Sequence, residues 1–130
     1  MGFHHVEIWV DDFAEDWPRW GWLLAELGWR PLDAWSGGQS WQSPDGGYLV
    51  VEQSRDLQRD VPYDRMRAGL NHLAFWAPNC AAVDRLVERA PGHGWTLLFP
   101  DRHPYAGGEH HYAAYLESGD GFEVEVVARD

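Results

Sequence analysis

The chain contains no lysine and a single cysteine, Cys80. All ten of its basic residues are arginine, set against 21 Asp and Glu, for a formal net charge of −11. A field of that sign repels phosphate backbones, so nucleic acid is not an expected partner. It also disfavours a strongly anionic substrate. One cysteine cannot build an internal disulfide framework, and a reducing, cytoplasmic setting is expected. No apolar run approaches the roughly 18–20 residues of a membrane span, so no membrane partner is expected. The opening MGFHHVEIWV lacks a basic segment ahead of an apolar one and does not read as a signal peptide. No phosphate-binding glycine loop, nucleophile elbow or HExxH helix occurs.

What is present is the composition of one folded domain. The 130 residues are 45% hydrophobic and 24% charged, enough to bury a core without staples. Aromatic residues reach 15%, nine of them Trp. Rings in that number either fill a core or line an apolar pocket.

The chain reads as two copies of one unit. FHHVEIWVDD at 3–12 matches GLNHLAFWAPN at 69–79, with His5 over His72 and Trp9 over Trp76. LGWRPL at 27–32 matches HGWTLLF at 93–99 through Trp29 and Trp95. PDGGYLVVE at 44–52 echoes GDGFEVEVV at 119–127. The offsets, 66 to about 75, stay nearly constant and the order is kept. Module one is set at about 1–53 and module two at about 69–130. The polar stretch between them, about 54–68 with Pro62, is the linker.

Each copy opens with an alternating strand. His5, Glu7 and Trp9 point one way; Val6, Ile8 and Val10 point the other. His72, Ala74 and Trp76 likewise oppose Leu73, Phe75 and Ala77. A helix follows each strand. The first carries Trp17, Trp20, Leu24 and Leu27 at helical spacing, with Asp16 as its cap, Pro18 in its first turn and Gly28 as its stop. The second opens at Asn79 or Asp84, carries Val83, Leu86, Val87 and Ala90, and ends at Pro91-Gly92. Short strands are expected at 29–35, 39–43 and 47–53, then at 95–99, 111–117 and 121–127. The predicted class is α+β: two βαβββ modules pairing into a curved mixed sheet, a cup with its helices outside.

The face opposite the helices carries the chemistry. His5 and His72 occupy equivalent places on it. Each unit ends in a strand bearing carboxylates: Glu52 in the first, Glu123 and Glu125 in the second. A pseudo-two-fold would gather His5, Glu52, His72 and Glu125. Two imidazoles and two carboxylates suit one divalent metal ion such as Ni, Zn, Co, Mn or Fe, with open positions for substrate. Glu125 is chosen over Glu123 on register, although Glu52 lies seven residues after Asp45 and Glu125 only five after Asp120. Either His can instead be a hydrogen-bonded neighbour, and His4 is assigned to the helix side as a structural residue.

The loop PDRHPYAGGEHHYAAY at 100–115 can fold over the cavity as a lid, with His111 and Tyr115 turned in, or remain a solvated hairpin. Arg102 could meet a substrate anion. Trp9, Trp76, Trp41 and Tyr48 could line the pocket or fill the core. Cys80, at a helix start with no base beside it, reads as inert.

The opening His-Val-Glu-Ile-Trp-Val-Asp-Asp, the Leu-Gly-Trp after the first helix and the closing Asp-Gly-Phe-Glu-Val-Glu resemble the vicinal oxygen chelate superfamily. This group holds the glyoxalases, bleomycin-resistance proteins and extradiol dioxygenases. The resemblance runs from residue 3 to 128. It implies metal ligands at His5, Glu52, His72 and Glu125, the four-ligand pattern of glyoxalase I, while dioxygenases of the group use three ligands and bleomycin-binding members none. Arg19-Trp20 replaces the usual Phe-Tyr of the first helix, and Gly119-Asp120-Gly121-Phe122 lacks the usual Pro and Asn of the last turn.

The expected function is therefore a metal-dependent, glyoxalase-like enzyme of lyase or isomerase type. It would chelate a small organic substrate through vicinal oxygens, with Glu52 or Glu125 shuttling the proton. Three ligands, two His and one Glu, would instead favour Fe(II) dioxygenation. A metal-free protein that sequesters a cationic aromatic molecule is the rival, favoured by the acidic charge and the tryptophans. A homodimer is expected.

Overall fold

The structure, a computed structural model, describes residues 2–130. The chain divides into two compact units, one ending at Pro62 and the other spanning Tyr63–Asp130. Unit 1 holds β1 (His5–Trp9), α1 (Phe13–Glu26), β2 (Arg30–Trp35), β3 (Gly38–Gln42) and β4 (Tyr48–Glu52). Unit 2 holds β5 (His72–Ala77), α2 (Cys80–Arg89), a 3-10 turn at Ala90–His93, β6 (Trp95–Leu98), β7 (Ala113–Ser118) and β8 (Glu123–Ala128). Their sheets are ordered β1-β4-β3-β2 and β5-β8-β7-β6. In each, the first strand runs parallel to the last and the other pairs are antiparallel. The α+β class and the βαβββ unit, occurring twice, are as expected.

The alternation in the opening strands sorts their faces. Ile8 and Val10 are buried while His5, Glu7 and Trp9 are exposed. Phe75 and Ala77 are buried, Ala74 and Trp76 exposed. Helix α1 packs Trp20, Leu23 and Leu24 onto β2, β3 and β4. Gly21 lets it come close, since a Cβ there would lie 3.7 Å from the ring of Trp41, buried on the same side. Trp41 is thus part of the core.

The helix ends differ from expectation in ways that local chemistry explains. The cap of α1 is Asp12, whose carboxylate accepts from the Glu15 N–H at 3.2 Å. The helix starts three residues ahead of Asp16, and that residue is buried against Arg19 at 3.1 Å. Pro18 consequently sits inside the helix rather than in its first turn. Gly28, at φ +82, ends α1 as predicted. Asn79, not Asp84, caps α2 by accepting from the Ala82 N–H at 2.9 Å. The 3-10 turn carries the chain past Pro91-Gly92 to Gly94.

The second half of the predicted linker is folded onto unit 2. The Tyr63 ring stacks on Phe122 at 4.2 Å, and its hydroxyl donates to the Leu70 carbonyl. Arg65 reaches Glu117, the Gly121 carbonyl at 3.2 Å and Glu123 at 3.1 Å. Among the described residues no helix is long and apolar enough to cross a membrane.

Candidate functional site

The register of β5, β8 and β7 assembles a polar group on the sheet face of unit 2 that α2 leaves open. His72 lies opposite Glu123, Ala74 opposite Glu125, and Tyr115 opposite Glu125. Both carboxylates are buried. A buried carboxylate needs donors to offset its lost hydration, and each finds them. Glu125 Oε1 lies 3.2 Å from His72 Nε2, its Oε2 accepts from His111 Nε2, and the Tyr115 hydroxyl also bonds to it. Glu123 is taken up by Arg65, with His72 Nδ1 at 3.6 Å. Of the two carboxylates, Glu125 is the one that His72 meets more closely. Burial, and then the Glu125 charge, push the Tyr115 hydroxyl above its ordinary pKa of 10.0, so it stays protonated and serves as a donor.

The loop after β6 closes on this group. His111 and Tyr115 both bond to Glu125. A Cβ on Gly107 would come within 2.7 Å of His111 Cδ2 and closer still to the Tyr115 hydroxyl, so bare backbone lies against both rings. Tyr112, next to His111, points the other way and donates to Asp84 on α2. That bond pushes the Tyr112 hydroxyl up to about 12. Arg102 does not reach Glu125; its guanidinium covers the Phe99 ring at 4.8 Å, and Phe99 in turn meets Tyr115 edge-on. Cys80 sits with its sulfur 3.3 Å from the Asp130 carbonyl oxygen.

Unit 1 carries the same ladder with different residues. His5 lies opposite Tyr48, Glu7 opposite Val50, and Trp9 opposite Glu52. The counterpart of Glu125 is therefore Val50, and the counterpart of Glu52 is Val127. Glu52 stands four positions along β4 from the partner of His5, about 13 Å at the usual rise per strand residue. The sequence reading, which took Glu52 as the counterpart of Glu125, is thus two ladder positions off within unit 1. The physical cause is the unequal turn spacing. Two extra residues after the Pro44-Asp45-Gly46-Gly47 turn keep Glu52 on the right face but move it two positions along the strand.

His5 stacks on Tyr48 instead, at 4.8 Å and nearly parallel, and its Nδ1 lies 2.9 Å from His4 Nδ1. His4 is exposed and packs edge-on against His5 and Tyr48, not on the helix side. Beside them is a cavity of about 340 Å3 lined by His5, Glu7, Leu32, Asp33, Trp35, Ser40, Tyr48 and Val50. Tyr48 lines it, whereas Trp9 and Trp76 do not. The Trp9 indole donates to Glu7 at 2.6 Å, and Trp76 lies under the Arg129 guanidinium at 5.0 Å. The tryptophan that does line the cavity, Trp35, was missed. Its signal was Gly38, its ladder partner, where any Cβ would collide with the indole.

Within unit 1 the two ligands read for that unit are not brought together. Val50 stands where a second carboxylate is required, and Glu52 is out of reach of His5 within its unit. Among the described residues no group of three or more His, Cys, Asp or Glu side chains is arranged to hold a metal ion.

Residues 4–115 match the profile of the glyoxalase/bleomycin resistance protein/dioxygenase superfamily. The chain belongs to that superfamily. An uncharacterised protein of Bacillus subtilis strain 168, YqjT, is 43% identical over 125 residues, covering 96% of this chain and 97% of its own. The crystal structure of a candidate glyoxalase from Bacillus halodurans is 43% identical, with a TM-score of 0.90 over 96% of this chain and 93% of that one. A glyoxalase/bleomycin resistance protein from Albidiferax ferrireducens T118 shares the fold at 23% identity, with a TM-score of 0.76 over 98% of both chains. Superfamily membership agrees with the resemblance read from the opening strand, the Leu-Gly-Trp and the closing strand.

Proposed function

We propose that this protein is a glyoxalase-like enzyme that transfers a proton on a small carbonyl substrate, with Glu125 as the base. The observation that carries this reading is the buried Glu125 carboxylate held between His72, His111 and the Tyr115 hydroxyl. A carboxylate supported on both oxygens is oriented before substrate arrives. Tyr115, held protonated, is the donor suited to an oxygen on which charge builds as a carbon–hydrogen bond breaks. His72 and His111 can carry the abstracted proton onward. No step is assigned to a metal ion, because the residues do not provide the expected ligand set.

The test is deuterium incorporation from D2O into a panel of small 2-hydroxyketones and 2-oxoaldehydes. Glu125→Gln is expected to lower the rate on any accepted compound by at least about 100-fold, the usual worth of a general base. Full-rate exchange by Glu125→Gln would overturn the assignment.

A second reading, sequestration of a cationic aromatic molecule, is favoured by the unit 1 cavity. Glu7 and Asp33 line it beside Trp35 and Tyr48, and no Arg does. Tryptamine is a suitable probe, read by intrinsic fluorescence. Saturable binding weakened by Trp35→Ala supports this reading, and no binding at millimolar tryptamine removes it.

A further inference from the structure

The unit 1 cavity owes part of its acidic edge to an irregularity in β2. Pro31 pairs with Trp41 and Ala34 with Gln39, so Leu32 and Asp33 together stand opposite the single residue Ser40. Two residues against one make a β-bulge, which re-aims side chains that strict alternation would send to opposite faces. Leu32 and Asp33 are neighbours in sequence, yet both line the cavity, and Trp35 lines it with them. Buried Ser40 fastens the bulge. The Asp33 N–H donates to Ser40 Oγ at 3.1 Å, and that hydroxyl donates to the Asp33 carbonyl at 3.5 Å. One side chain thus serves both backbone groups of Asp33, and the carboxylate is not used to hold the fold. Among the described residues no hydrogen bond or ion pair engages it. Glu7, the other acidic residue of the cavity, differs: its Oε2 accepts from the Trp9 indole at 2.6 Å.

We propose that Asp33, turned into the unit 1 cavity by the β2 bulge, makes that cavity select an aryl-alkylammonium ion over a neutral aromatic molecule of the same shape. Trp35 stands two residues further along β2, about 7 Å at the usual rise, a span that a short alkyl arm between ring and ammonium bridges. Its indole lies against the bare backbone of Gly38, and the Tyr48 ring, stacked on His5, adds a second aromatic surface. The rings hold the apolar part of the ligand and Asp33 pairs with its charge. A cavity of about 340 Å3 stands near the small end of ligand sites, roughly 300–1,000 Å3, so it takes one compact molecule. This inference deepens the sequestration reading and rests on it.

The experiment is a 1H–15N correlation titration of the labelled protein with tryptamine and, separately, with tryptophol, which carries a hydroxyl where tryptamine carries the ammonium. Both should bind saturably and move the Leu32, Asp33 and Trp35 amides. Tryptamine should bind about fivefold more tightly, the upper range for a partly exposed ion pair. Asp33→Asn should bind the two compounds equally. Asp60→Asn, which removes one negative charge outside the cavity, should keep the fivefold preference and so separate a local pairing from the general field of a −11 chain. The wild-type comparison needs no variant to fold. No binding of either compound at millimolar concentration would remove the sequestration reading and this inference with it. Equal binding of the two by the wild type, or a preference that survives in Asp33→Asn, would overturn the inference alone and leave an aromatic-binding cavity.

Discussion

The two units have the same strand order, the same parallel pairing of first and last strands, and a histidine at the same ladder position. Only unit 2 sets a carboxylate two residues along the partner strand from the histidine's own position. In unit 1 that place is Val50, and the space beside it becomes a cavity edged by aromatic rings and two acidic residues. The comparison separates scaffold from chemistry. Burial of one strand face determines the shared ladder, while the turn ahead of the last strand determines which residue arrives opposite the histidine. A duplicated unit can therefore keep its fold and lose its reactive group through two residues of turn spacing.

The largest expected effect breaks the comparison outright. Glu125→Gln should reduce deuterium exchange by at least about 100-fold, whereas Glu52→Gln, in its sequence-matched position, should leave it within about twofold. If the two variants behaved alike, the ladder would be the wrong guide to equivalence. Next is Val50→Glu, which writes the unit 2 pattern into unit 1. Val50 is buried beside Tyr48 and His5, so the new carboxylate lacks the donors that Glu125 has. Urea unfolding should show a loss of about 1–3 kcal/mol, the usual cost of an unmatched buried polar group. No loss would mean that His5 can turn to meet the new group.

Removal of metal sharpens the contrast further. Dialysis of the protein against a strong chelator should leave exchange activity within about twofold, since unit 1 sets Val50 at the ladder position that Glu125 holds in unit 2. Abolition that is reversed by adding one divalent metal would restore the chelate reading. The smallest effect is confined to unit 2. The hydrogen bond to Asp84 pushes the Tyr112 hydroxyl up from an ordinary 10.0 to about 12. A raised folded-state pKa stabilises below the unfolded value and loses that contribution as pH climbs toward the folded one. Between about pH 10 and 12 the wild type should therefore lose stability that Tyr112→Phe does not, read as converging thermal midpoints.

Much of this was legible in the chain itself. The duplication, the two faces of β1 and β5, and the presence of His72 and Glu125 on one surface follow from period-two alternation alone. Register is harder, because moving a residue two places along a strand preserves its face and leaves no trace in the pattern. That is how Glu52 came to be matched with Glu125. Contacts made by loops are harder still. His111 reaches Glu125 across 14 residues because Gly107 allows the chain to fold flat, and periodicity does not register such a contact. Trp35 went unnoticed for a related reason, since what seats it is the missing side chain of Gly38. Asp12 and Asp16 were both able to cap a helix. The earlier one wins because it satisfies the first free N–H groups, and Asp16 then turns inward to Arg19.

The backbone at Gly107 amounts to a limit on size. The loop rests on His111 and Tyr115 with no atom to spare, so any side chain added there must move one ring or the other away from Glu125. Widening the chamber by substitution at this point would thus cost at least one of the donors that make Glu125 useful. A variant selected for bulkier substrates should change the length of the loop rather than residue 107, and a library randomised at that position should return glycine.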